Sequence, residues 1–228
     1  ICGENLKNLA FSVRSGECLV LQALDNAVFQ ELTDLVTGVW KPDEGTALVD
    51  GFPVRFPGDR RIGVIRELPA GTMVFSNMSY MDNLCFSLDH RFPDMWRRGS
   101  IKKSVAEEYG SLLGRDVFWK RVDELTEMEK YDLVYARILL QNPRTVFCIQ
   151  PFKGAEVELR VRIWEHLEMF LDRGMAVVIL AVNLADSLAL ANRLIRIRKG
   201  GRQEEFSREA FNRLPINTPW RYLYEEEG

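Results

Sequence analysis

Short apolar runs alternate with stretches of helical periodicity along this chain, and that alternation limits its fold more than any single residue does. Gly16 to Leu21, Thr145 to Ile149, Ala176 to Val182 and Arg193 to Arg198 read as strands. Between them, Val28, Phe29, Leu32, Leu35, Val36 and Val39 recur at helical spacing toward Gly38, as do Met128, Tyr131, Tyr135, Ile138 and Leu139 within 127–140. Val157, Val161, Trp164, Leu167 and Leu171 align within a helix over 156–171, and a further helix is expected over 184–191. Strands that alternate with helices of this length predict an α/β fold with a mostly parallel sheet and helices on its faces.

The opening carries more strand signal. Leu6 to Val13 and Glu17 to Leu21 read as strands about the Arg14-Ser15-Gly16 turn, and Thr46 to Asp50 and Pro53 to Phe56 as a hairpin about Gly51. Together they predict an N-terminal antiparallel β portion, followed by a short strand over 61–66. From Ser79 the pattern turns helical, with a helix over 101–113, so residues 79–125 are expected to form an α-helical subdomain inserted in a single domain of 228 residues, with 207–228 as a tail.

Composition narrows the function classes. With 46% hydrophobic and 28% charged residues the chain can build a substantial core, and a net charge of −3 gives no overall attraction to nucleic acid or anionic lipid. Cys2, Cys18, Cys85 and Cys148 are far apart and form no metal-ligand spacing, and His90 and His166 have no cysteine or second histidine nearby. A metal centre is therefore not expected, and reduced cysteines point to the cytoplasm. The apolar run 175–181 is too short to span a bilayer. A start at Ile1 rather than methionine suggests a piece of something longer.

The strand ending at Leu21 runs through a loop into the helix ending near Gly38, the layout of a phosphate-binding loop. Across Ala23, Leu24, Asp25, Asn26, Ala27, Val28, Phe29 and Gln30 the pattern Gly-x-x-x-x-Gly-Lys-Ser/Thr would put glycines at 23 and 28, lysine at 29 and a hydroxyl at 30. Alanine, valine, phenylalanine and glutamine stand there instead. Leu24, Val28 and Phe29 put side chains at or near the phosphate space, and Asp25 and Glu31 are expected to bring carboxylates to the same helix end.

Gly16-Glu17, the strand, loop and helix to Gly38, then Lys41-Pro42-Asp43-Glu44-Gly45 and Val49-Asp50-Gly51, resemble the opening of the ABC transporter nucleotide-binding cassette. The likeness is greatest to the second cassette of monosaccharide-importer ATP-binding subunits. Glu31-Leu32, Asp59 to Gly63, Asn77-Met78-Ser79 and Asn83-Leu84 extend it, and it covers the chain to about residue 206. The resemblance implies a P-loop NTPase-like fold and supplies positions for the remaining site residues.

The family's signature loop falls on Leu125, Thr126, Glu127, Met128 and Glu129, its Walker B carboxylates on Ile149 and Gln150, its glutamine loop on Glu67 and its switch histidine on Val182. Each differs from the family pattern, so the resemblance implies a degenerate cassette with no catalytic residues of its own, not an enzyme but a structural or regulatory module. ATP and magnesium binding is expected to be weak or absent. The expected partner is a protein: another cassette, a membrane subunit or a fused regulatory domain, with the chain in the cytoplasm at most peripheral to the inner membrane face. A sensor or dimerisation domain of a signalling or transcription regulator, and a weak nucleotide-binding ATPase subunit of a sugar transporter, are the alternatives. The basic loop with Arg91, Arg97, Arg98, Lys102 and Lys103 about Phe92 and Trp96 reads as a solvated face ahead of a partner- or nucleic-acid-binding one, and Trp220 to Glu227 either as a segment that docks on a neighbour through its aromatics or as a terminal segment packed on its own domain.

Overall fold

The structure, a computed structural model, describes residues 1–86, 98–184 and 186–214. His90, Arg91, Phe92, Trp96, Arg97 and the tail from 215 onward, Trp220 to Glu227 included, lie outside the described residues.

The core is a six-stranded sheet in the order β4-β5-β6-β1-β7-β8. Its strands are β1 (Cys18–Ala23), β4 (Ile62–Ile65), β5 (Thr145–Ile149), β6 (Ala176–Ala181), β7 (Arg193–Ile197) and β8 (Gln203–Ser207). All neighbours are parallel except β7 and β8. Strands β1, β5 and β6 are buried along their whole length, as strands covered on both faces must be. Successive side chains point to opposite faces, and the packing separates accordingly. Cys18, Val20, Val146, Cys148, Val177 and Ile179 face one core. Leu19, Leu21, Phe147, Ile149, Val178 and Leu180 face the other.

The second core is covered by helix α1 (Asn26–Thr37), which buries Val28, Leu32, Leu35 and Val36. Gly38 ends it at φ +74°, a left-handed cap that donates to the Leu35 carbonyl while Val39 N–H returns to Asp34. Val39 therefore leaves the expected apolar face and is 74% exposed.

The first core is covered by α5 (Glu127–Gln141) and α6 (Val157–Asp172). Helix α5 is buried at every position from Tyr131 to Arg137, not along one stripe. Helix α6 corrects the sequence expectation. Val157 and Val161 are exposed, and the buried face is Leu159, Ile163, His166, Leu167 and Phe170. The two faces share Leu167, and Trp164 and Leu171 are partly buried against the same core; the helix is turned so that Ile163, Phe170 and His166, which meets Asp132 of α5, point inward.

Between β4 and β5 the chain forms α2 (Pro69–Thr72), α3 (Tyr80–Cys85), α4 (Arg98–Leu113), two short 3-10 turns (Arg115–Trp119 and Val122–Glu124) and α5. Tyr80 and Phe118, both buried, meet edge to face at 5.9 Å in the heart of this insertion.

Three further expectations change. The antiparallel portion near the N-terminus is limited to the hairpin β2 (Leu48–Val49) with β3 (Phe52–Pro53) and an isolated bridge from Cys2 to Glu44. No strand forms over 6–13, because Asn8 turns the backbone at φ +52° and the N–H groups of Glu4, Asn5 and Leu6 are given to the Glu31 carboxylate. The helix expected over 184–191 shrinks to α7 (Ser187–Leu190), since Asn192 is held to β1, its N–H to the Cys18 carbonyl and its Oδ1 from Cys18 N–H. Strand β8 escapes sequence reading because Gln203-Glu204-Glu205-Phe206-Ser207 carries no apolar run; it is a charged edge strand, paired through Arg193–Glu205 and Arg198–Glu204.

Candidate functional site

In an open parallel sheet the loops leaving the carboxyl ends of the strands form the ligand face. The loop after β1 carries the phosphate-loop positions, and its side chains go several ways. Ala23 is buried at the end of the strand, and Leu24 is 59% exposed. Val28 and Ile149 are buried in the core beneath α1, with Phe29 half-buried against it. Gln30 points outward and donates to Asp34 at 2.9 Å.

Asp25 is the N-cap of α1, and its Oδ1 accepts from Ala27 N–H at 2.9 Å and Val28 N–H at 3.2 Å. Asn26 and Ala27 are exposed in the first turn. A carboxylate from the chain itself thus complements the positive end of the helix dipole. Glu31 does not join Asp25 there. Its carboxylate accepts backbone N–H from Glu4 at 2.8 Å, Asn5 at 2.7 Å and Leu6 at 2.9 Å, on the side of α1 that faces the N-terminal segment.

Pairing of β4 with β5 brings two of the expected site residues together. Ile65 lies opposite Cys148, so Glu67 and Gln150 leave adjacent strand ends. Gln150, held at φ +44°, donates from Nε2 to Glu67 Oε2 at 2.8 Å, and Lys153 Nζ lies 2.5 Å from Glu67 Oε1. Lys153 and Glu67 remain partly exposed, so this ion pair contributes about 0–1 kcal/mol at most and sets geometry more than stability. Val182, at the end of β6, is half-buried, and its carbonyl accepts from Gln22 Nε2 at 3.1 Å. Gln22 is itself buried and accepts from Arg196 Nε at 2.9 Å, a link from β1 to β7 that the sequence reading missed.

The signature positions are engaged among themselves. Leu125 is buried, and Thr126 caps α5 by accepting Glu129 N–H at 3.2 Å while Glu129 Oε2 accepts Thr126 N–H at 2.8 Å. This is a capping box, legible as Thr-x-x-Glu before an apolar helix. Glu129 also pairs with Lys120 at 2.5 Å, and burial, which raises its carboxyl, is outweighed by those hydrogen bonds, so the group lies below its ordinary value. Glu127 is exposed and Met128 half-buried in the first turn.

Among the described residues no cluster of histidine, cysteine and acidic side chains could hold a metal. The four cysteines are free thiols, and burial pushes Cys18 up to about 12, so it behaves as a core residue.

Asp186, in the segment after Val182, is buried and lies 3.2 Å from Arg160, yet burial outweighs that cation and raises its carboxyl from 3.8 to about 6. A raised folded value means that the stability it contributes is present below about pH 4 and is lost as pH rises through 6. Urea unfolding of the parent chain is expected to show a decline of about 1–2 kcal/mol from pH 4 to 7 that Asp186→Asn lacks. Parallel profiles for the two chains would refute this assignment.

No family model matches the chain. It is 25% identical over 202 residues to the ribose import ATP-binding protein RbsA of Geobacillus kaustophilus, covering 85% of this chain and 41% of that protein. The Bacillus licheniformis protein of the same name is 26% identical over 224 residues, covering 93% and 45%. The Nod factor export ATP-binding protein I of Neorhizobium galegae is 30% identical over 203 residues, covering 86% and 55%. The chain thus spans about half the length, or somewhat less, of the curated relatives it matches. Among solved structures, CbiO1 of Clostridium perfringens, described as part of the ABC transporter complex CbiONQ, superposes with a TM-score of 0.72 at 18% identity, covering 91% of this chain and 84% of that one. These relatives correct one expectation: they are ATP-binding proteins, members of the ABC ATPase class, and the reading of the chain as something other than an enzyme does not stand.

Proposed function

Since this chain is an ABC-type nucleotide-binding domain, we propose that it serves as one cassette of an importer-type ABC ATPase, with sugar import as the transport class, and that this half has a structural and regulatory part in the assembly. The observation that carries the proposal is the engagement of its own carboxylates. Asp25 takes the first free N–H groups of α1, and Glu67 is held by Gln150 and Lys153. The positions that would hold a magnesium-bound triphosphate offer Ile149 and Gln150 in place of carboxylates and Phe29 in place of a lysine, a donor set that does not fit that group.

Three charge-assisted contacts, each about 1.5–3 kcal/mol, are absent from that set. Their loss amounts to more than about three powers of ten in affinity, so this half binds nucleotide weakly. The partners are a second cassette and a membrane subunit at the cytoplasmic face; no described helix is long and apolar enough to cross a membrane itself.

Calorimetric titration of the chain with ATP and magnesium tests the reading. Half-saturation is expected well above about 10 μM, and a dissociation constant below that value, about −7 kcal/mol, would overturn it.

A further inference from the structure

We propose that α6 is a two-armed clamp that holds the helical insertion and the core as one body, through a buried Asp132–His166–Arg162 network and through Arg173. Asp132 projects from α5 into the interface with α6. Arg162 donates from Nε to its Oδ1 at 2.7 Å and from Nη2 to its Oδ2 at 3.3 Å, and His166 Nε2 lies 2.6 Å from Oδ1. The same Arg162 Nη2 also reaches the Leu112 carbonyl at 3.1 Å, in the last turn of α4. One guanidinium therefore joins three helices, and Glu165 holds its remaining Nη1 at 2.9 Å.

The second arm is Arg173, at the carboxyl end of α6. Its Nη1 donates to Tyr109 Oη at 3.2 Å, and its guanidinium lies 5.8 Å from the centre of the same ring. The two arginines stand about 16 Å apart along the helix axis, and both reach the last two turns of α4, at Leu112 and Tyr109. The arms add to an apolar seat: Val105 and Tyr109 of α4 are buried, and Ile101, Ala106, Leu112 and Leu113 are partly buried against the same core.

Helix α6 begins shortly after Gln150 and Lys153, whose contacts with Glu67 fix the preceding segment. The clamp thereby ties the orientation of the insertion to that segment by side-chain hydrogen bonds as well as by apolar packing. This inference stands on the α4–α5–α6 contacts alone and does not require the functional reading above.

Hydrogen exchange of the chain, followed by mass spectrometry, tests it with Arg162→Lys and Arg173→Met singly and together. Lysine keeps a charge for Asp132 but is a single ammonium that cannot span to Leu112 as the planar guanidinium does. Amides of 105–113 are expected to exchange about twofold faster in each single variant and at least tenfold faster in the double one, a larger factor than any rise in β1, β5 and β6. Unchanged exchange over 105–113 in the double variant overturns the clamp. A rise spread evenly over sheet and insertion overturns it too. Should the Arg162 variants not fold, Arg173→Met alone decides: its side chain is exposed, and no loosening of 105–113 refutes the proposal.

Discussion

Asp132→Ala is expected to lower the unfolding free energy at pH 7 by about 3–5 kcal/mol, the cost of removing one partner from a buried ion pair. Among the described residues Asp132 is the acid that joins Arg162 to His166, and the side chains of all three are largely or wholly buried. Truncation leaves His166 without its carboxylate in an apolar interface lined by Tyr135, whose ring stacks 5.1 Å from it, while Arg162 keeps Glu165 and the Leu112 carbonyl. Asp132→Asn keeps the volume and one acceptor, so its loss is expected to be about half as large. Urea unfolding of the three chains measures both numbers, and a loss under about 1 kcal/mol for the alanine variant would show that the network is dispensable.

The same group gives the measurement a pH signature. Burial raises the Asp132 carboxyl, but the hydrogen bonds from His166 and Arg162 outweigh burial and leave it below the ordinary value of 3.8. A depressed folded value contributes stability that is fully present above about pH 4 and is lost as pH falls toward the folded value. The gap between the parent and Asp132→Ala is therefore expected to be constant from pH 5 to 7 and to narrow below 4. Asp186 works in the opposite sense, so the two variants separate the acid limb from the neutral limb of one stability profile.

Asp132 also illustrates what the sequence leaves hidden. An aspartate between Tyr131 and Leu133 looks like the polar side of an amphipathic helix, yet α5 is buried all round and the acid faces α6. Only the packing of two helices far apart in the chain discloses its partners. The fully buried strands were legible, because a parallel strand covered on both faces must be a continuous apolar run. Strand β8 was not, since an edge strand protected by charge has the composition of a loop. The same distinction holds at the site. Asp25 as an N-cap and Thr126-x-x-Glu129 as a capping box are local patterns that a sequence displays. The Glu67–Gln150–Lys153 contacts need the β4–β5 pairing, which brings residues 83 or more positions apart to adjacent strand ends.

Glu31→Ala is expected to cost about 3 kcal/mol, because Glu31 is the sole acceptor given to three consecutive backbone N–H groups of the N-terminal segment. Leaving a buried donor without a partner costs about 1–3 kcal/mol, and of the three only Leu6 N–H is buried in surroundings that water does not reach. Glu4 and Asn5 recover part of their loss to solvent, so the sum falls near the lower bound and not near three full penalties. The effect is not confined to hydrogen bonds. Leu6 and Leu9 enter the second core beside Val28, Leu32 and Val36, so release of residues 4–6 uncovers the outer face of α1 as well. In a domain of this size the combined loss corresponds to a fall of about 6–12 °C in Tm. Gly3→Ala offers an independent approach to the same contact, since a Cβ there would collide with Glu31 Oε1 and the Trp40 ring. Thermal unfolding of both variants should agree in sign, with Glu31→Gln intermediate because one carbonyl oxygen still accepts. A Tm within about 2 °C of the parent for Glu31→Ala would mean that the N-terminal segment is held by its leucines alone, and that the carboxylate is incidental to the way α1 is seated.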